Sequence, residues 1–94
     1  MPRLSDEAIQ AALGTLNGWA VVGGELEKRY SFATFPEGIA FVTRVAALAE
    51  EAGHHPDIDI RYTTVTLRLS THSEGGITER DVELARRADG VVTP

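Results

Sequence analysis

A long helical pattern occupies residues 34–53, TFPEGIAFVTRVAALAEEAG, and the remaining elements must be arranged around it. Its start, Thr34-Phe35-Pro36-Glu37, has the form of a capping box, with proline in the first turn, where the missing N–H costs nothing. Gly53 is a natural end because glycine readily adopts the left-handed conformation that follows a helix. The apolar residues of one face are Ile39, Val42, Val45, Ala46 and Ala49. We therefore predict one long amphipathic helix here.

Two pairs of strand-like segments flank this helix and predict two β-hairpins. Before the helix, residues 19–22 and 25–32 are separated by Gly23-Gly24, and two adjacent glycines suit a tight turn because both accept positive φ. After the helix, residues 57–62 and 64–70 alternate polar and apolar side chains, as half-buried strands do. The apolar positions there are Ile58, Ile60, Tyr62, Val65, Leu67 and Leu69.

A shorter helix is predicted at each end of the chain. Ser5 suits the N-cap of the first, and Gly14 lies where its apolar spacing ends. Thr78 and Asp81 form a capping-box-like pair at the start of the last helix. The order α-β-β-α-β-β-α predicts an α+β fold, in which a four-stranded antiparallel sheet carries the helices on one face. Residues 1–94 are enough for a single domain.

The composition is that of an ordinary globular domain with a negative surface. Hydrophobic residues make up 43% of the 94 residues, and the net charge is −5. The nine Lys and Arg residues are scattered, so phosphate backbones would be repelled and we expect no nucleic-acid partner. A domain this small buries only about 60–65% of its unfolded surface. Pairing with a copy of itself, as a homodimer or homotetramer, is therefore expected.

Cysteine content and the first residues indicate the cellular compartment that we expect for the protein. The chain has no cysteine, so it cannot form a disulfide or a thiolate metal site. It starts with Met1-Pro2-Arg3 and a polar segment, and no long apolar run follows. We therefore expect a cytoplasmic protein that does not associate with a membrane.

Three histidines are the main candidates for chemistry: His54 and His55 after the long helix, and His72 after the last strand. Histidine titrates near neutral pH, so a cluster of three suits general acid–base catalysis. Glu50 precedes His54 by one helical turn and could hold it in one tautomer. The negative end of the helix dipole would favour an imidazolium there, which is the form that a general acid needs.

Simpler interpretations of the same residues stay open at this point. A His-His pair after a glycine C-cap can merely bond the last helix carbonyls, and Asp81 is explained by capping alone. A metal site formed by the three histidines with Glu50 or Asp81 is disfavoured because adjacent residues of an extended chain project to opposite sides. Trp19 could be an ordinary core residue.

Several segments in order, Glu50-Glu51-Ala52-Gly53-His54-His55-Pro56, Tyr62, Ser70-Thr71-His72 and Gly76-Ile77-Thr78-Glu79-Arg80-Asp81, resemble the signature of the pterin-4a-carbinolamine dehydratase family. Gly18-Trp19, Phe32, Phe35 and residues 41–46 resemble its upstream pattern, so the similarity covers residues 4–90. The chain departs from the family at Ile58, where an aromatic residue is common, and at Ser73, where an acidic residue is frequent.

This resemblance implies a reaction, namely dehydration of a 4a-hydroxytetrahydropterin to a quinonoid dihydropterin, in support of tetrahydropterin recycling. It implies that His54 and His72 are the acid–base pair, that His55 contacts substrate, and that Glu50 and Asp81 orient imidazoles. No metal or cofactor is needed. The residues that it implies around the pterin are His54, His55, Pro56, Thr71, His72, Ser73, Glu74 and Trp19. A second possibility, from another class, is a non-catalytic interaction or assembly-chaperone module.

Overall fold

The computed structural model describes residues 2–92, and its elements follow the predicted order. The helices are α1 (Asp6–Leu13), α2 (Phe35–Ala52) and α3 (Glu79–Asp89). The strands are β1 (Ala20–Val22), β2 (Glu25–Ser31), β3 (Asp57–Arg61) and β4 (Thr64–Leu69). A short 3₁₀ turn at His72–Glu74, which the sequence did not predict, joins β4 to α3.

The sheet has the order β1-β2-β4-β3, and every neighbouring pair is antiparallel. The two predicted hairpins are present, and pairing of β2 with β4 joins them. Strands β2 and β3 consequently run in the same direction with β4 between them, and α2 connects them as a split β-α-β unit. The ends of α2 and β4 are thereby positioned around the start of α3.

The two faces of the sheet differ in polarity. Leu26 and Tyr30 of β2 pair with Leu69 and Val65 of β4, and all four are buried in one cluster with apolar residues of α2 and α3. The opposite face is polar, with Arg29 and Arg61 exposed and Asp59 and Arg68 half-buried. The prediction of an α+β domain with its helices on one face is therefore confirmed.

The buried side of α2 is rotated from the predicted one. Phe41, Val45 and Ala49 are 0–2% exposed and Gly38 is also buried, whereas Ala46 is exposed. The inclusion of Ala46 was wrong because alanine is compatible with either side of a helix, and the large Phe41 sets which side faces the sheet.

The turn between β3 and β4 consists of Tyr62 and Thr63. Tyr62 has φ of +52° and is 78% exposed, so its assignment to the apolar face of a strand was wrong. Ile60 is also 39% exposed, because β3 is an edge strand and helix cover is incomplete there. The apolar alternation of this segment therefore overstates its burial.

Candidate functional site

The end of α2 sets the position of His54. Gly53 has φ of +62°, its N–H bonds the Glu50 carbonyl at 3.2 Å, and the N–H of His54 bonds the Ala49 carbonyl at 3.1 Å. This pair of bonds is the Schellman motif, in which a left-handed residue reverses the chain and closes the helix. The reversal directs His54 toward the first turn of α3.

His54 meets Asp81 there. Its Nε2 atom contacts Oδ1 of Asp81, whose side chain is fully buried, and His54 itself is only 8% exposed. Because a carboxylate oxygen accepts, the hydrogen lies on Nε2 of the imidazole. Among the described residues, no side-chain group bonds Nδ1 of His54. Every buried side-chain nitrogen or oxygen in that part of the chain has a hydrogen-bond partner, so the unbonded Nδ1 must be accessible to solvent. The arrangement leaves Nδ1 for proton exchange.

The other oxygen of Asp81 holds the start of α3. Oδ2 accepts from the N–H of Thr78 at 2.9 Å, which completes the capping box, and from the hydroxyl of Thr71 at 2.9 Å. The Thr71 hydroxyl also lies 2.8 Å from that of Thr78. Asp81 therefore caps α3 and orients His54 at the same time. Helix capping and imidazole orientation are both roles of this residue, and neither excludes the other.

Thr71 connects this buried network to His72. Its side chain is 5% exposed and is occupied by Asp81 and Thr78, so its hydroxyl is unavailable to a ligand. The next residue, His72, is exposed in the 3₁₀ turn, with Ser73 and Glu74 beside it, also exposed. A short path thus runs from His54 through Asp81 and Thr71 to His72.

Glu50 orients a different histidine from the one expected. Its Oε1 atom lies 2.7 Å from Nε2 of His55, and no bond joins it to His54 in the described residues. The side chains of His55 and Glu50 are 64% and 80% exposed, so water screens the pair. The helical spacing from Glu50 to His54 was misleading because Gly53 turns the chain away from the helix axis.

Arg80 is a residue whose role the sequence did not reveal. Its Nη2 atom donates to the carbonyl of Gly53 at 2.8 Å and to that of Ala52 at 3.2 Å. A cation at the carbonyl end of a helix is favourable, and here it comes from another helix. Arg80 therefore ties α3 to the turn that carries His54, and only its proximity in space identifies it.

A cavity of about 280 Å³ opens beside His54, between the end of α2 and the exposed side of α3. Its lining comprises Ala52, His54, Glu79, Arg80, Glu83, Leu84 and Arg87. His55 and His72 are not among these residues, so convergence of the three imidazoles on one cleft stays a prediction. Pro56 is half-buried next to His55 and does not line the cavity.

Trp19 lies in a separate cluster. Its indole Nε1 donates to the carboxylate of Asp89 at 3.1 Å, and the same carboxylate accepts from Tyr30 at 2.6 Å and from Lys28 at 2.9 Å. Burial, followed by the bond to Asp89, raises the pKa of Tyr30. Asp89 is eight residues beyond Asp81, about 12 Å along the helix axis. This position favours a core role for Trp19 over the substrate contact that the family resemblance implied.

No group of three or more His, Cys, Asp or Glu side chains in residues 2–92 is arranged to hold a metal ion. None of the helices described there has the length and apolar character needed to cross a bilayer.

The proteins that are similar in sequence to this chain share one family description. The family model for pterin 4 alpha carbinolamine dehydratase matches residues 2–91. A protein of Herpetosiphon aurantiacus, named provisionally as such a dehydratase, is 55% identical over 91 residues, which are 97% of this chain and 95% of that protein. A protein of Mycobacterium avium with the same provisional name is 53% identical over 92 residues, 98% of each chain.

Two solved structures are similar as well. A Brucella melitensis protein described as a transcriptional coactivator/pterin dehydratase has a TM-score of 0.93 and 32% identity, over 97% of this chain and 99% of the other. A pterin dehydratase-like protein identified as a RuBisCO assembly factor in the alpha-carboxysome has a TM-score of 0.65 and 31% identity, over 79% and 86%.

Proposed function

The chain belongs to the pterin 4 alpha carbinolamine dehydratase family, and from this we propose that it dehydrates a 4a-hydroxytetrahydropterin to the quinonoid dihydropterin by histidine acid–base catalysis. The observation that carries the proposal is the buried Asp81–His54 pair and its link through Thr71 to His72. Such a pair holds one imidazole in a defined tautomer at the edge of a cavity large enough for a small heterocycle.

The proposed reaction needs two proton transfers. The C4a–O bond breaks while an acid protonates the departing oxygen, because hydroxide is a poor leaving group and water is a good one. The lone pair of N5 forms the new C4a=N5 double bond, and a base takes the N5 proton. No electrons are gained or lost overall, so the step requires no oxidant or reductant.

We assign the proton transfers to His54 and His72. Asp81 holds the hydrogen on Nε2 of His54, so Nδ1 is the atom that exchanges a proton with substrate. His72 lies in an exposed turn and is free to face a ligand from the other side. His55, which Glu50 orients at the surface, would contact the pterin, with Pro56, Ser73 and Glu74 at the rim.

The test is a direct assay. A hydroxylase generates the carbinolamine, and absorbance follows formation of the quinonoid dihydropterin with and without this protein. General acid–base help contributes typically about 10²–10⁴-fold, so we expect a clear acceleration over the spontaneous reaction. A rate equal to the spontaneous one would refute the dehydratase proposal.

An interaction or assembly module is the second candidate. It is favoured by the similarity to a pterin dehydratase-like protein identified as a RuBisCO assembly factor. A protein of this kind has no need of an imidazole oriented by a buried carboxylate, which is why we rank the enzyme first. The assay above separates the two candidates, because an assembly module need not accelerate dehydration.

The proposal includes self-association and a cytoplasmic location. The edge strands β1 and β3 expose apolar side chains, with Val22 at 49% and Ile60 at 39%. Exposed edges of this kind pair readily with another chain. A homodimer or homotetramer would cover them, and cell fractionation would test the location.

A further inference from the structure

The segment before α1 crosses the loop that carries His72. The backbone N–H of Leu4 donates to the carbonyl of Ile77 at 2.8 Å, and Leu4 packs half-buried against the core. Arg3 lies over the same loop, with its Nη1 atom 3.5 Å from the carbonyl of Gly75. We name residues 3–4 the N-terminal strap.

The stem of the Arg3 side chain lies directly over Gly76. A Cβ atom at Gly76 would lie 2.5 Å from Cδ of Arg3 and 3.0 Å from Cγ, so the Arg3 side chain would have to move away from the loop. Its neighbour Gly75 differs, since it has φ of +71° and open space around it. Glycine at position 75 is favoured by the backbone conformation, whereas a Cβ atom at position 76 would displace the stem of Arg3 from the loop.

The loop under the strap fixes the backbone around His72. Thr71 and Gly76 form a β-bridge, with N–H to carbonyl distances of 2.8 and 3.4 Å, and the N–H of Gly75 bonds the carbonyl of His72 at 3.1 Å. Within residues 2–92 the ring of His72 has no hydrogen bond to another group. The position from which His72 leaves the chain is therefore set by the backbone of the loop, which Arg3 contacts from outside at Gly75 and Gly76.

We infer that Arg3 is a positioning residue for His72, and that the N-terminal strap acts on catalysis without touching substrate. The inference rests on the proposed function, because His72 is assigned to proton transfer there. Position matters for such a group, since a displacement of about 1 Å can cost about 10²-fold in rate. Loss of the strap loosens the loop without breaking the core, so the expected loss is smaller, about 3- to 10-fold.

Arg3 adds little to the stability of the fold. It is exposed, and α1 has its own anchors in the Ser5 cap and in Ile9 and Leu13, which pack on the core. Removing an exposed side chain of this kind changes the free energy of unfolding by about 0.5 kcal/mol or less. An effect of Arg3 on turnover can thus be separated from an effect on folding.

The experiment compares wild type with Arg3→Ala, Arg3→Lys and Gly76→Ala. Lysine keeps Cγ and Cδ over Gly76 and retains a donor, so Arg3→Lys should match wild type. Arg3→Ala should lower kcat about 3- to 10-fold with an unchanged melting temperature. Gly76→Ala should lower kcat at least as much, because its methyl group displaces the Arg3 stem.

Amide NMR of residues 72–76 gives a second readout that does not depend on activity. Arg3→Ala should broaden or shift these signals and leave those of α2 unchanged, and Arg3→Lys should leave both unchanged. The inference is overturned if Arg3→Ala has wild-type kcat and wild-type loop signals, or if Arg3→Lys is as impaired as Arg3→Ala. Should wild type lack dehydratase activity, the proposed function fails, and the NMR comparison alone decides whether the strap holds the loop.

Discussion

The carboxylate of Asp81 binds the Nε2 atom of His54 although 27 residues separate them in the chain. The same carboxylate caps α3 and holds Thr71. Any change at Asp81 therefore affects the start of a helix and the tautomer of an imidazole together, and experiments must separate these effects.

Asp81→Asn should separate them. The asparagine oxygen can still accept from Thr78 and Thr71, while its NH₂ group would face Nε2 of His54 and move the imidazole hydrogen to Nδ1. We expect turnover to fall about 10²-fold, because the tautomer is wrong for proton transfer, with a modest loss of melting temperature. Imidazole ¹⁵N shifts would report the tautomer directly.

Asp81→Ala is the matched comparison. It leaves buried donors without a partner and should cost about 3 kcal/mol of unfolding free energy. If Asp81→Asn loses stability without any change in turnover or tautomer, Asp81 serves only as a cap.

Removal of either proposed acid–base group should slow dehydration, and removal of His54 should also lower the melting temperature because it leaves Oδ1 of the buried Asp81 without its partner. His72→Ala and His54→Ala should each lower kcat by about 10- to 10⁴-fold. The double variant should lose less than the product of the two if the pair acts as a unit. Arg61→Ala removes a side chain that is 83% exposed on the polar sheet face and serves as the control. Wild-type kcat in both single variants would exclude these roles.

Glu50→Gln should have small effects. The pair that Glu50 forms with His55 is mostly in water, so its loss should change the free energy of unfolding by about 0.5 kcal/mol or less. We expect any change in the assay to appear in KM, since His55 is proposed to contact substrate. A large fall in kcat with unchanged KM would show that Glu50 supports the proton transfer itself.

Tyr30 should make stability depend on alkaline pH. The unfolded chain releases the tyrosine proton near its ordinary pKa of about 10, whereas burial and the bond to Asp89 raise the pKa in the folded protein. Above about pH 10 the folded state binds more protons, so the free energy of unfolding falls as pH rises, by up to about 1.4 kcal/mol per unit.

Denaturant titrations across this range should show a smaller decline in Tyr30→Phe, which has no phenol proton to lose. Lys28 and Asp89 remain in both proteins, so the difference reports Tyr30 alone. Identical alkaline slopes for the two proteins would contradict the assignment.

Self-association should be measurable by light scattering. The chain is 10.1 kDa, and we expect a particle of two or four chains, since apolar side chains are exposed on both edge strands. Ile60→Lys and Val22→Lys place a charge on one edge each and should identify which edge is covered. A monomer well above micromolar concentration would refute the prediction and leave the proposed chemistry intact.

The sequence by itself determined the local elements. Capping at Ser5, Thr34 and Thr78 and the stop at Gly53 were predicted correctly. The burial of Val65, Leu67 and Leu69 in β4 was predicted as well, although Thr66 on the other face of this central strand is also buried. These features depend on hydrogen bonds between residues three to five apart, or on side-chain periods of two and 3.6, so a linear pattern is enough to reveal them. The resemblance in the histidine segments likewise led to the family, which the comparisons confirm.

Only the tertiary structure decided which side chains meet. Glu50 is close to His54 along the chain yet binds His55, because the left-handed Gly53 turns His54 toward α3. The order β1-β2-β4-β3 sets Thr71 beside Asp81, and the chain start returns to place Arg3 on Gly76. Such contacts depend on how whole elements pack to bury their apolar faces, and that arrangement is a property of the entire chain rather than of any one segment.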